Sequence, residues 1–266
     1  MNRIDSRFQE LAQAGKTAFI PYITAGDPTL DVTMEVVLAL EKAGADIIEL
    51  GVPFSDPIAD GVVNQEAAQR ALLHHVTLHD VVAMVSKLRE KTAIPLVLFT
   101  YYNPVLAYGH EAFARDAAGA GVDGVLCVDL PPEESRDYRR LLHDFGIATI
   151  YLIAPTSTEE RIRIIAEAST GFIYYVSRTG VTGVRQDIES SVGDMVQAIK
   201  RYSDTPVAVG FGISTPDQAR EVAGYADGVI VGSAIVRQIG EQGADPSMPA
   251  AVGAFAKTLV DATKGL

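Results

Sequence analysis

The sequence lacks several features that mark whole classes of protein. It contains no tryptophan. It contains a single cysteine, Cys127, so an internal disulfide is excluded and the chain suits a reducing compartment. No stretch approaches the ~18 uninterrupted apolar residues that a membrane-spanning helix requires. The first residues also lack an apolar segment of signal-peptide length. We therefore expect a cytoplasmic protein.

Positive charge is also scarce. The chain has 22 lysine and arginine residues against 34 aspartate and glutamate residues, a formal net charge of -12. This balance argues against binding to nucleic acid or to an anionic membrane surface. A phosphorylated small molecule is still compatible with it, because backbone amides and helix N-termini bind phosphate without a basic patch.

What the sequence does contain is recurring apolar runs rich in valine and isoleucine. We count eight predicted strands, beginning near residues 19, 46, 95, 124, 147, 172, 207 and 227. The runs show little polar alternation, which indicates strands buried on both faces and therefore a parallel sheet. A length of 266 residues and a hydrophobic fraction of 48% agree with a single barrel domain, for which about 250 residues is typical.

The segments between the strands are amphipathic, and three share one pattern. Residues 43–50, 120–128 and 224–231 each contain a helix end, a small-residue turn, an aspartate and a buried strand. Eight strands, each followed by a helix, predict a (β/α)8 TIM barrel with an extra N-terminal helix, as one α/β domain over residues 1–266. The alternative is a doubly wound open sheet, which would need fewer repeats or a topological switch.

Two prolines mark predicted helix starts. Thr215 followed by Pro216 has the form of an N-cap residue followed by proline at the first helical position. Asp27 followed by Pro28 has the same form, so we expect a helix to begin there as well.

The most distinctive stretch is 49–61, Glu-Leu-Gly-Val-Pro-Phe-Ser-Asp-Pro-Ile-Ala-Asp-Gly. Its strand ends near Glu49, and the following loop, held by Pro53 and Pro57, brings Asp60 to the same end of the sheet. Apolar neighbours would raise the pKa of Glu49, while Asp60 in a polar loop would stay ionised, a division suited to an acid and a base. The alternative is a solvated glutamate at a strand end and turn-forming aspartates.

Glycine-rich loops follow the last three predicted strands, at 177–183, 210–215 and 232–236. Barrel enzymes commonly bind phosphate with the loops after strands 7 and 8 and with the N-terminus of a short extra helix, which we predict at 233–237. Glycines let backbone amides approach an anion, and Ser233 adds a hydroxyl. Each loop alone is an ordinary turn, but three in this order favour a phosphate site. Residues 178–186 are either a lid or a plain surface loop.

Other catalytic groups are missing from the predicted strand ends. No lysine lies in a predicted strand or at its C-terminal tip, so a Schiff-base mechanism has no nucleophile. His75 and His79 have the spacing of a metal pair, but they lie in the helical connection after the second strand, and we assign no metal to them. Carbon–carbon cleavage at this site would therefore need carboxylates.

Five segments together resemble the alpha subunit of tryptophan synthase, over nearly the full length of the chain. They are 19–28, 49–61, 177–183, 210–214 and 231–236. The resemblance implies that Glu49 and Asp60 are the catalytic acids. It further implies substrate-binding roles for Tyr174, Tyr22, Phe99, Leu126 and Thr182, and a phosphate site at Gly183, Gly212, Gly232 and Ser233. Tyr22 and Phe99 stand where the form of the family best known to us has phenylalanine and leucine.

The resemblance implies retro-aldol cleavage of indole-3-glycerol phosphate to indole and glyceraldehyde 3-phosphate, in tryptophan biosynthesis. It also implies a beta-subunit partner that carries pyridoxal phosphate, in a heterotetramer of two alpha and two beta subunits, with no cofactor in this chain. The apolar segment 103–109, predicted to be a loop at the barrel mouth, is a candidate partner surface. Two alternatives stay open: another phosphate-binding barrel enzyme that acts on a phosphosugar, and a non-catalytic subunit that binds indole phosphates.

Overall fold

A computed structural model describes residues 2–177, 185–210 and 212–265 of the chain. These residues form nine strands: β1 (Ala18–Thr24), β2 (Ile48–Gly51), β3 (Leu96–Thr100), β4 (Gly124–Cys127), β5 (Ala148–Thr149), β6 (Leu152–Ile153), β7 (Ile173–Val176), β8 (Val207–Gly210) and β9 (Gly228–Val231). The same residues form twelve helices: α1 (Arg3–Gln13), α2 (Leu30–Ala43), α3 (Val62–Leu72), α4 (Leu78–Leu88), α5 (Tyr102–Tyr108), α6 (His110–Ala120), α7 (Arg136–Asp144), α8 (Glu159–Ala168), α9 (Arg185–Lys200), α10 (Pro216–Ala223), α11 (Ser233–Gln242) and α12 (Met248–Thr263). Within those ranges, no helix is long and apolar enough to cross a membrane.

The strands form one parallel sheet in the order β5-β4-β3-β2-β1-β9-β8-β7-β6. Its two edges meet, because β5 and β6 are successive pieces of one interrupted strand. Ile150 donates its backbone N–H to Val125 of β4 at 3.0 Å, and Tyr151 accepts one from Tyr174 of β7 at 3.1 Å. The predicted eight-stranded barrel is therefore confirmed, with its fifth strand divided in two.

The barrel interior is filled from the end where the strands begin. Alternate strand residues point inward, and they form one buried cluster: Ala18, Ile20, Ile47, Val97, Leu126, Ala148, Ile150, Phe172, Ala208 and Ile230. The predicted N-terminal helix, α1, covers this end and adds Ile4, Phe8 and Leu11 to the same cluster. The Phe8 and Phe172 rings lie 6.0 Å apart. Chemistry is thus restricted to the opposite end, at the carboxyl ends of the strands.

A second, larger cluster lies between the strands and the surrounding helices. The amphipathic stripe of α12, including Val252, Ala256 and Leu259, is fully buried in it, as are Val36 and Leu40 of α2. Burial of each large apolar side chain contributes about 1.5–3 kcal/mol. This outer layer holds the helices whose N-termini face the carboxyl ends of the strands.

The aspartate of the repeated sequence pattern has a structural role at the lower rim of the barrel. In each of the three repeats its carboxylate accepts the backbone N–H of a neighbouring strand. The bonds run from Phe19 to Asp46, from Leu96 to Asp123 and from Val207 to Asp227, at 2.7, 2.9 and 2.8 Å. Each carboxylate also pairs with a basic side chain: Arg7, Arg89 and Lys200 respectively. These acids stabilise strand pairing, at the end of the barrel remote from the phosphate loops.

One of the two predicted helix starts is correct. Thr215 caps α10, since its hydroxyl accepts the backbone N–H of Gln218, and Pro216 is the first helical residue. The prediction for Asp27 is wrong: α2 begins at Leu30, and its N-cap is Thr29. Asp27 is buried instead and accepts two hydrogen bonds of 2.8 Å from Arg70 of α3. A bidentate arginine is a stronger partner for this carboxylate than helix amides would be.

The segment 103–109 is not the predicted loop. Residues Tyr102–Tyr108 form α5, with Pro104 in the first turn, where the N–H that proline lacks would have no helical partner. Within α5, Val105 is buried, whereas 55% of the surface of Leu106 is exposed.

Candidate active site

Glu49 is the innermost acidic residue at the carboxyl end of the barrel. It is the second residue of β2, faces inward and lies beside Tyr22 of β1 in the strand register. The side chain is completely buried, and neither carboxylate oxygen has a hydrogen-bond partner among the described residues. Burial without a partner disfavours the charged form and raises the pKa of Glu49 to about 8. The raised pKa predicted from the sequence is confirmed, and the carboxyl group is protonated at neutral pH.

This pKa makes the stability of the protein depend on pH. The unfolded glutamate has a pKa of 4.5, so the folded state holds a proton that the unfolded chain releases between pH 4.5 and about 8. The stabilisation is complete below the lower value and is lost as pH rises through the upper one. Glu49→Gln cannot ionise and should not show this loss. We expect the free energy of unfolding of Glu49→Gln, relative to that of the parent chain, to increase by about 2–4 kcal/mol from pH 5 to pH 9. Urea denaturation at pH 5 and pH 9 measures this change. Equal decreases in the free energy of unfolding of the two proteins would contradict it.

Two tyrosines accompany Glu49 inside the barrel mouth. Burial raises the pKa of the Tyr22 and Tyr174 hydroxyls, and the nearby Glu49 charge raises both further. Their ring tips lie over strand-end glycines: a Cβ at Gly51 would lie 2.1 Å from the Tyr22 Oη, and one at Gly210 would lie 2.6 Å from the Tyr174 Oη. The two glycines therefore make room for the tyrosine hydroxyls.

Asp60 is held in place by neighbouring side chains. Tyr101, which directly follows β3, donates its hydroxyl to Asp60 Oδ2 at 2.9 Å and accepts the Ala59 N–H at 2.9 Å. Gln65 donates to the Asp60 backbone oxygen at 2.8 Å. Partial burial raises the pKa of Asp60, whereas hydrogen bonds with Tyr101 and Asn64 oppose that rise. Asp60 is therefore less solvated than the sequence indicates, because Tyr101 and the start of α3 cover it.

Tyr101→Phe removes the bond that orients the Asp60 carboxylate while it keeps the aromatic ring. We expect kcat/KM for indole-3-glycerol phosphate, the substrate that the sequence resemblance implies, to fall about tenfold, because a misplaced charge stabilises the transition state less well. Steady-state kinetics measure the change. Tyr102→Phe is the matched control, since the Tyr102 hydroxyl contacts His110 at 2.9 Å and is not bonded to Asp60. Equal losses in the two variants would contradict a positioning role for Tyr101.

A cavity of about 280 Å³ opens at this end of the barrel. Its walls include three of the predicted aromatic residues and three of the predicted phosphate residues: Tyr22, Phe99, Tyr174, Gly212, Gly232 and Ser233. The Tyr22 and Phe99 rings meet edge to face at 5.2 Å. Residues 61–64 and Arg237 complete the lining. The lining thus combines three aromatic rings with glycine backbone and a hydroxyl.

The glycine residues of the lining have the properties of an anion site. Gly232 is the N-cap residue of α11 and Ser233 its first residue, so the first amides of this helix have no helical acceptor. The helix dipole adds partial positive charge at the same point. Gly212 has φ +77, a left-handed backbone conformation that favours glycine. The predicted short helix is confirmed and is longer than expected.

Three of the other predicted residues are not part of the cavity lining. Glu49 and Asp60 do not line it, but the charges of both act on the hydroxyl of Tyr22, which does, so each acid lies near the cavity wall. Leu126 is buried in the barrel core, against which Phe99 and Tyr174 pack. Thr182 and Gly183 lie outside the described residues, as does the predicted lid except for residues 185–186 at the start of α9.

Three residues of this site were missed by the sequence reasoning. Tyr101 could have been found, since it follows a predicted strand at its carboxyl end. Asn64 lies in the first turn of α3 and Arg237 one turn inside α11, and only the tertiary structure turns them toward the cavity. Asn64 has a buried Oδ1 with no hydrogen-bond partner in the described part of the chain, which leaves an acceptor free for a ligand.

His75 and His79 are the two histidines with the spacing of a metal pair. The described residues contain no group of three or more histidine, cysteine, aspartate or glutamate side chains that could hold a metal ion. The ring of His79 stacks on Tyr108 at 3.6 Å, and His75 occupies a left-handed turn before α4. Both lie in helical connections outside the cavity lining.

The arrangement matches a known family. Residues 8–264 match the model of the family described as tryptophan synthase alpha chain. The chain belongs to this family. The cleavage of indole-3-glycerol phosphate to indole and glyceraldehyde 3-phosphate in tryptophan biosynthesis is the family's reaction.

Individual members of the family are similar over most of their length. The tryptophan synthase alpha chain of Geotalea daltonii is 53% identical over 238 residues, which is 90% of each chain. That of Thioalkalivibrio sulfidiphilus is 53% identical over 247 residues, covering 92% of this chain and 93% of the relative. The crystal structure of tryptophan synthase subunit alpha from Legionella pneumophila superimposes with a TM-score of 0.92, at 40% identity and full coverage of both chains. A chain of Mycobacterium tuberculosis tryptophan synthase does so with a TM-score of 0.88 at 36% identity, over 99% of this chain and 100% of that one.

Proposed function

We propose that this chain catalyses its family's lyase reaction with Glu49 as general acid and base and Asp60 as the electrostatic partner. The observation that carries the assignment is a buried Glu49 carboxyl that has no partner among the described residues and is protonated at neutral pH, near a cavity lined by aromatic rings, glycine backbone and Ser233. The indole ring occupies the aromatic end, with Tyr22, Phe99, Leu126 and Tyr174 around it. The phosphate occupies the glycine end.

The first step is protonation of the indole ring. Carbon 3 of indole is a poor carbanion, so the bond to the glycerol chain does not break until C3 has received a proton. Glu49 supplies that proton, because its carboxyl is neutral at pH 7 and has no hydrogen-bond partner in the described chain to compete for it. A new C3–H bond forms, and the ring becomes a cation with its charge centred on the nitrogen.

Asp60 stabilises that cation. A carboxylate at the ring N–H interacts more strongly with the charged ring than with neutral indole, so its effect is largest where charge develops. The Tyr101 hydroxyl, 2.9 Å from Asp60 Oδ2, fixes the direction of this carboxylate and favours its ionised form.

The second step breaks the carbon–carbon bond. The Glu49 carboxylate takes the proton from the hydroxyl on the carbon attached to C3, and that carbon becomes the carbonyl carbon of glyceraldehyde 3-phosphate. The electron pair of the broken bond passes to the cationic ring and restores neutral indole. Glu49 ends as it began, protonated, so the reaction needs no other proton donor.

The phosphate end holds the other half of the substrate. The amides of Gly212, Gly232 and Ser233, with the Ser233 hydroxyl, are the proposed phosphate contacts. Gly183 belongs to the same set, and Thr182 to the substrate contacts, as the family resemblance implies. We further propose that residues 1–266 form one catalytic domain, because strands from both ends of the chain, β1 and β9, are neighbours in one sheet.

Indole is a small apolar product, so a partner that receives it is expected. We propose a beta subunit that carries pyridoxal phosphate, in a heterotetramer of two alpha and two beta chains, while the chain itself needs no cofactor and works in the cytoplasm. Apolar side chains on two segments that follow β2 and β3 support a docking surface at the barrel mouth: Ile58 is 88% exposed and Leu106 55% exposed.

A direct assay tests this function. The chain contains no tryptophan, so the fluorescence of released indole can be followed with purified protein and indole-3-glycerol phosphate, without background from protein tryptophan. We expect indole and glyceraldehyde 3-phosphate in equal amounts, and faster release when a beta subunit is added. Binding without turnover would favour a non-catalytic subunit. Turnover only of phosphosugars that lack an indole ring would favour a different barrel enzyme.

A further inference from the structure

One cationic side chain is part of the cavity lining. Arg237 is the only lysine or arginine among the described residues that line the cavity. It lies in α11 four residues after Ser233, so both side chains occupy the same face of the helix. Helical side chains lean toward the helix N-terminus and cover the preceding turn. The guanidinium is therefore directed back toward the turn that starts with Gly232 and Ser233.

The charge of Arg237 is uncommitted in the described part of the chain. It forms no ion pair or hydrogen bond with another described residue, and its side chain is exposed. Arg70 is the instructive contrast: it also contacts α11, at Gly240, but both of its bonds go to the buried carboxylate of Asp27. Within the described residues, therefore, Arg70 has a partner that neutralises its charge, and Arg237 has none.

A phosphate monoester is a suitable ligand for the Arg237 guanidinium. It carries about -1.5 to -2 charges at pH 7, whereas a helix N-terminus offers only about half a positive charge. The rest of the chain repels it, because the net charge is -12 and the Asp60 carboxyl group lies near Tyr22 of the cavity wall. A full positive charge one helical turn from the amides would offset that repulsion.

We propose that Arg237 is a substrate-binding residue that pairs with the phosphate group held at the N-terminus of α11. This inference rests on the function proposed above, since it requires the substrate phosphate to lie at Gly232 and Ser233. Arg237 then acts on binding of the phosphorylated substrate and product, and it has no part in proton transfer at the indole ring.

Steady-state kinetics with the full chain test this role. We expect Arg237→Gln to raise KM for indole-3-glycerol phosphate about five- to tenfold, while kcat stays within about twofold, because an ionic bond to phosphate is similar in ground state and transition state. Arg237→Lys keeps the charge and should raise KM less than about threefold. At 0.5 M salt the KM of Arg237→Gln should be only about twofold higher than that of the parent, since exposed charges are screened.

A charge-matched variant and two inhibitors complete the experiment. Arg220→Gln removes the same charge from α10, where Arg220 pairs with Asp217 outside the cavity, and should leave KM unchanged. The inhibition constant of glycerol 3-phosphate should rise in Arg237→Gln, whereas that of uncharged indole should not. Since Arg237 is exposed, its replacement leaves no void in the core, and the retained kcat reports a folded enzyme.

The outcomes separate the two proposals. A parent chain that does not cleave indole-3-glycerol phosphate overturns the proposed function itself. A parent chain that cleaves it, together with unchanged KM and unchanged glycerol 3-phosphate inhibition in Arg237→Gln, overturns the role of Arg237 alone. A rise in KM equal to that of Arg220→Gln also overturns it, because the effect would then be one of overall charge.

Discussion

Glu49→Gln is expected to lose about 10³- to 10⁴-fold in kcat while the protein stays folded. Glutamine has nearly the shape of the protonated glutamate, so the buried site is filled as before, but its amide cannot give a proton to indole C3 or take one from the glycerol hydroxyl. General acid–base catalysis typically contributes 10²- to 10⁴-fold, and Glu49 is proposed to act in both steps. Release of indole at saturating substrate measures the loss.

The pH profile identifies the group. In the parent chain kcat/KM should fall as pH rises through about 8, because the acid form of Glu49 is the one that protonates the ring. The residual activity of Glu49→Gln should lack that alkaline limb. A variant within about tenfold of the parent, or one that keeps the same alkaline limb, would remove Glu49 from the mechanism.

Asp60→Asn should cost about 10²- to 10³-fold in kcat. Asparagine can still face the ring nitrogen and still meet the Tyr101 hydroxyl, but it offers no negative charge to the cationic ring. Loss of one well-placed group that stabilises transition-state charge has an effect of this size. Because Asp60 is only partly buried, the free energy of unfolding should change by less than about 1 kcal/mol.

A neighbouring acid provides the matched control for that variant. Asp56 belongs to the same loop, is exposed and bonds the Ser55 hydroxyl at 2.6 Å. Asp56→Asn removes the same charge from the loop without touching Tyr101. In the chain assayed alone it should keep kcat within about twofold. If the two asparagine variants lost activity equally, the effect would belong to the charge of the loop as a whole and Asp60 would have no special position.

Some features of the site were predictable because their causes are local in sequence. The pKa of Glu49 follows from the apolar residues of its own strand, which guarantee burial on both faces of a parallel sheet. The helix after β9 follows from a glycine, a serine and an apolar stripe. The mistaken cap at Asp27 shows the limit of such reasoning: its partner, Arg70, comes from 43 residues away and outcompetes the local amides.

The sequence by itself determined the barrel and singled out the two acids as candidates at the carboxyl ends of its strands, since strand periodicity, turn residues and buried composition all act within about ten residues of chain. Only the tertiary structure decided which residues surround those acids. Tyr101 meets Asp60 across 41 residues, and Arg237 joins Tyr22 in one cavity because β1 and β9 are neighbours in the closed sheet. Such contacts depend on which strand ends become adjacent when the barrel closes, and that is a property of the whole fold.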